Sequence, residues 1–142
     1  MKRIIVFLIL LFSTTGQSQT YKKLLVNSFE PLKKEGYIYI EPLTEDRLGV
    51  VKNLTENLMD QGFNITKDKT LADYFLVFSY LKRADNYCPG WKVIRKMEGS
   101  IFDIKKNNKV VIEFSFKQSS FEQKCTHNVI FALVKKIAEN QI

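Results

Sequence analysis

Hydrophobic positions change period several times along this chain, and each change marks an element. Tyr37-Ile-Tyr-Ile40 is β-branched and aromatic and is closed by Glu41-Pro42, which predicts a strand. Leu48, Val51, Leu54, Leu58 and Met59 then recur at helical spacing. Thr44 is placed to cap that helix, with Glu45 and Asp46 at the positive end of its dipole and Gly49 inside it. Gly62 is placed to end it in a left-handed residue, which lets Phe63 fold back on Leu58 in a Schellman ending. Phe63 to Thr66 alternates as a short strand.

Tyr74 to Leu81 is apolar at successive positions, which predicts an interior strand covered on both faces. Trp91 to Ile104 reads as another strand, interrupted at Gly99. Lys105 to Lys109 is a turn, and Val110, Ile112, Phe114 and Phe116 share one face of the strand that follows. Placing Phe102 and Ile104 on that same face requires partners of equal parity. The loop is then Lys106-Asn107-Asn108, with Asn108 left-handed. Ile130, Leu133, Val134 and Ile137 form the stripe of a last helix, which Thr126 is placed to cap. Leu24-Leu-Val26 is a further short strand. The order predicts an α+β fold: a mostly antiparallel sheet of four to five strands with two helices packed on one face.

The amino terminus follows a different logic. Met1-Lys2-Arg3 is basic, Ile4 to Phe12 is an unbroken apolar run, and Ser13 to Gln19 is small and polar. That order is the one a secretory signal peptide uses. Nine residues rise only about 14 Å as a helix, against a hydrocarbon core of about 30 Å, too short for a stable span. The expected organisation is therefore a signal peptide at 1–19 and a single α+β domain at 20–142. No later segment has the apolar length of a membrane helix, so no transmembrane segment is expected after signal removal.

Composition changes this picture little. The 142 residues are 45% hydrophobic and 26% charged, an ordinary globular balance. The formal charge is +7, but the excess is lysine, in pairs at 22–23, 33–34, 105–106 and 135–136. Phosphate recognition favours the arginine fork, so nucleic acid is not an expected partner, and these lysines read as solvated surface.

Cys88 and Cys125 are the two cysteines, 37 residues apart, which excludes a Cys-x-x-Cys redox motif. Alternating strand directions bring both to the same end of the sheet, and export favours a disulfide between them. The loop Tyr87-Cys-Pro-Gly-Trp91 then carries two aromatics at that end. Tyr87, Pro89 and Trp91 are the expected partner-binding residues. His127 is the lone histidine, and a zinc site needs four ligands, so neither a metal nor a cofactor is expected. Glu41, Asp73, Glu98 and Asp103 form no paired-acid spacing, and no phosphate-loop or nucleophile-elbow pattern occurs. No catalytic residue is assigned.

Four segments carry a resemblance. They are Tyr39-Ile-Glu-Pro42, the helix end at Gly62-Phe63, Ala72-Asp73-Tyr74-Phe-Leu-Val77, and Gly99-Ser-Ile-Phe-Asp103 running into the hairpin. Together with the final helix they resemble a group of small Gram-negative envelope proteins. The group comprises domain-of-unknown-function lipoproteins, outer-membrane activators of penicillin-binding proteins, and the amino-terminal domain of the TolB type. The resemblance spans roughly residues 37–140 and is architectural. It implies a non-catalytic envelope module that binds another protein or a cell-wall component. This chain departs from the group in having no lipid-attachment cysteine after its apolar run, and in carrying Glu113-Phe114 where a Trp is expected. The alternatives are a hydrolase of envelope polymers, which needs clustered carboxylates or an activated nucleophile, and a small-ligand carrier, which needs a cavity between sheet and helices.

Overall fold

The computed structural model describes residues 24–84, 92–118 and 125–142. The expected signal peptide and the loop bearing Tyr87, Cys88, Pro89 and Trp91 lie outside these residues. Among the described residues, six strands and two α-helices follow one another. They are β1 (Leu24–Ser28), β2 (Tyr37–Ile40), α1 (Val50–Asp60), β3 (Asn64–Thr66), β4 (Tyr74–Ala84), β5 (Lys92–Asp103), β6 (Lys109–Lys117) and α2 (Thr126–Ala138).

The strands form one sheet in the order β1-β6-β5-β4-β2-β3. The pairings β1–β6, β6–β5 and β5–β4 are antiparallel. Strand β2 pairs in parallel with both β3 and β4, because α1 carries the chain back between β2 and β3. The fold is thus α+β as expected, with one strand more than the four to five anticipated and a parallel corner.

Both helices cover the same face. Leu54 and Leu58 of α1 join Ile130, Leu133 and Ile137 of α2 in one core with Leu76, Met97, Ile101 and Ile112 of the sheet. Burying an aliphatic side chain of this kind contributes about 1.5–3 kcal/mol, so this shared face holds the fold together. No described element covers the opposite face. Val77 and Leu81 of β4 are 42% and 59% exposed, so β4 is interior by pairing but covered on one face only.

Helix α1 starts later than the apolar spacing suggests. Gly49 precedes it in the left-handed region at φ 65°. The cap is the Asp46 carboxylate rather than Thr44, accepting the N–H groups of Val50 and Val51 at 2.8 Å each. Met59 is exposed. The carboxyl end follows the expected pattern: Gly62 has φ 87°, and the Phe63 N–H reaches the Leu58 carbonyl at 3.0 Å. Helix α2 has Cys125, not Thr126, in its capping position.

The β5–β6 hairpin departs from the parity argument. Ile101 pairs with Ile112 but Phe102 pairs with Val110, so Val111 is an extra residue. Val110 thereby leaves the face of Ile112, Phe114 and Phe116. The turn is a 3-10 segment at Ile104–Lys106 followed by two left-handed residues, Asn107 and Asn108.

Candidate functional site

Strand β4 ends at Ala84 and β5 begins at Lys92, while β6 ends at Lys117 and α2 begins at Thr126. The Gln118 N–H donates to the Arg95 carbonyl at 3.0 Å, which holds the exit of β6 against the start of β5. The end of β4, the start of β5 and the exit of β6 therefore stand at one end of the sheet. Cys88, Tyr87, Pro89 and Trp91 themselves lie outside the described residues. His127 is exposed on the first turn of α2.

Of the four carboxylates considered from sequence, the structure separates two and gathers two. Glu41 pairs with Lys69 at 3.4 Å, and Glu98 pairs with Lys96 at 2.8 Å. Lys69 also lies over the rings of Phe75 and Tyr39, at 4.7 and 5.7 Å from their centroids. Asp73 and Asp103 meet at the hairpin end of the sheet, around a cavity of about 320 Å³.

That cavity is lined by Lys33, Glu35 and Gly36 from the β1–β2 connection, Asp73 and Tyr74 from the start of β4, and Asp103, Lys105 and Lys106 from the hairpin. Asp73 is held from two sides, by the Lys105 ammonium and by the Tyr37 N–H at 2.9 Å. These partners, Lys105 first, hold its carboxyl below the usual aspartate value, and Asp73 in turn raises Lys105. Asp103 turns the chain by accepting the Lys105 N–H at 3.0 Å. Just outside, Glu30 accepts the ammonium groups of both Lys106 and Lys109, which lower its carboxyl to about 2. Gly36 is required here because a Cβ would stand 2.6 Å from the Tyr74 ring. Sequence reading missed this cluster. Its signal was the lysine pairs at 33–34 and 105–106, read as plain solvated surface.

A second, shallower depression of about 460 Å³ lies on the open face of the sheet. Leu25, Val77 and Phe102 rim it, with Ser79, Ser100 and Ser115 across it. Neither of these two cavities lies between the sheet and the helices, where a small-ligand carrier would need one.

No protein-family model matches this chain, and no curated protein matches it. Solved structures do. The PelC dodecamer from Paraburkholderia phytofirmans superposes with a TM-score of 0.56 at 15% identity, over 83% of this chain and 97% of that one. A DUF4136 family protein from Bacteroides thetaiotaomicron gives 0.50 at 14% identity, over 80% of this chain and 92% of that one. TolB from Acinetobacter baumannii gives 0.48 at 11% identity, over 82% of this chain and 30% of that one. The first two share this chain's fold along almost their whole length, and a domain-of-unknown-function protein is among them, in keeping with the architectural resemblance.

Proposed function

We propose that this chain is an exported, non-catalytic accessory protein of the Gram-negative envelope that contacts another protein or a cell-wall component. The observation that carries the reading is the fold shared with PelC and the DUF4136 protein over nearly their full lengths. The basic-apolar-polar order of residues 1–19 supports export. The gathered carboxylates Asp73 and Asp103 are engaged by Lys105 rather than standing as a catalytic acid pair, which weighs against the hydrolase alternative.

In this reading Cys88 and Cys125 form a disulfide, for which the strand ends described above provide the convergence. Such a closure stabilises by about 3–4 kcal/mol on the chain-entropy model. Tyr87, Pro89 and Trp91 are the contact residues at that end. No cofactor or metal is invoked.

Two measurements test it. The intact mass of protein from its native host should be short by about eighteen residues and rise by about 2 Da on reduction. A full-length mass with two free thiols would overturn both export and the disulfide. Trp91→Ala should lose capture of its envelope partner while keeping the circular dichroism of the parent. Loss of folding instead would make Trp91 a core residue.

A further inference from the structure

The cavity at the hairpin end has an uneven hydrogen-bond inventory. Asp73 uses both carboxylate oxygens, one on Tyr37 and one on Lys105. Several donors are unused. Lys33 makes no ion pair among the described residues, although it is near enough to Asp73 to act on its charge. Tyr74 is 3% exposed, and its hydroxyl oxygen accepts the Lys33 N–H at 3.1 Å. The hydroxyl proton itself reaches no acceptor among the described residues. On the cavity wall this hydroxyl keeps a proton to donate. Lys105 and Lys106 each hold one carboxylate and keep further N–H donors.

On the acceptor side, Asp103 is 8% exposed and uses one oxygen on the Lys105 N–H. Its other oxygen has no hydrogen bond among the described residues. Glu35 also lines the wall. A ligand that satisfies this inventory offers several acceptor oxygens to Lys33, Tyr74, Lys105 and Lys106, and one O–H to Asp103. A bare carboxylate or a sulfate has the acceptors but no proton, and would meet Asp103 as a like charge. A phosphate monoester has both near pH 6, where its second ionisation falls, and free hydrogenphosphate keeps one O–H throughout the neutral range.

From this arrangement we propose that the cavity binds a protonated phosphate group, as free hydrogenphosphate or as a phosphate monoester. The site is independent of the accessory-protein reading and of the loop at the other end of the sheet.

The test is an amide-resolved NMR titration of the full chain at pH 6 and low salt, with inorganic phosphate, a sugar monophosphate, dimethyl phosphate and sulfate as probes. Phosphate or the monoester should give saturable shifts at Gly36, Tyr74 and Lys105 in the millimolar range. The stronger of the two identifies the source. Sulfate and the diester should give none. Lys33→Gln should weaken binding about tenfold, the scale of one charge-assisted contact. Its melting temperature should be unchanged, since Lys33 holds no ion pair. Tyr74→Phe keeps the ring but removes the hydroxyl, both its proton and the oxygen that accepts the Lys33 N–H, and should weaken binding too. Lys52→Gln, on the far-exposed side of α1, should not. Sulfate binding as well as phosphate, equal effects of Lys33→Gln and Lys52→Gln, or no saturable shift would each overturn the proposal.

Discussion

The Tyr80 hydroxyl donates to the Asp46 carboxylate at 2.9 Å, across 34 residues of sequence. The same hydroxyl oxygen accepts the Leu48 N–H at 3.2 Å. One strand of the sheet thus fixes the carboxylate that caps α1. Tyr80→Phe should therefore cost about 1 kcal/mol, the usual net value of such a bond. Asp46→Ala, which also strips the cap, should cost about 2 kcal/mol. The two losses should fall short of additive in the double variant, because they share one bond. Urea unfolding of the three variants checks this, and full additivity would mean that the bond does not couple helix and strand.

Gly99 on β5 lies between Phe78 and Phe114 in register. A Cβ there would stand 2.5 Å from the tip of the Phe114 ring and 2.6 Å from the Val77 carbonyl. Gly99→Ala should destabilise by about 1–3 kcal/mol through overpacking. Adding Phe114→Leu should recover only part of the loss, since the Val77 backbone cannot retreat as a side chain does. Thermal melts of the single and double variants measure it.

Acid should act first through Glu30. Its carboxyl is lowered from 4.5 to about 2 by Lys106 and Lys109. A depressed carboxyl contributes stability above its unfolded value, and that contribution is lost as pH falls from about 4.5 to about 2. Glu30→Gln should reduce the slope of the stability profile in that window, the part due to Asp73 remaining, and leave its slope above pH 5 unchanged. The effect should shrink in high salt, because Lys106 and Lys109 hold Glu30 at the surface, where ions screen the pairs. Denaturation midpoints at a series of pH values decide the matter.

The last residue of the chain is structurally committed. The Ile142 N–H donates to the Leu32 carbonyl, and the Lys34 N–H to the Ile142 carbonyl, both at 2.9 Å. Removing Ile142 should lower stability by about 1–2 kcal/mol, two backbone bonds' worth. A deletion variant with an unchanged melting temperature would show that the pairing is incidental.

What was legible in the sequence was what is local. The Gly62-Phe63 ending was readable because a Schellman turn is made by neighbours. The start of α1 was not, because Asp46 owes its position to Tyr80 on a distant strand. The Val111 bulge left no mark in the alternation, so parity placed Val110 on the wrong face. Val77 and Leu81 read as doubly buried because hydrophobicity does not say whether a second layer exists. The Lys33–Tyr74–Asp103 cavity was not legible either. Its members come from three segments and look like ordinary surface one at a time.

The first strand of the sheet pairs with the last: Leu24 lies opposite Phe116. Synthesis delivers these partners at opposite ends of the process. Strand β1 must wait, unpaired, until β6 has been made and has docked on β5. Long-range closure of this kind slows folding and prolongs exposure of an apolar segment. In unfinished molecules β1 is an apolar segment without its partner strand, open to a chaperone or protease that samples nascent copies.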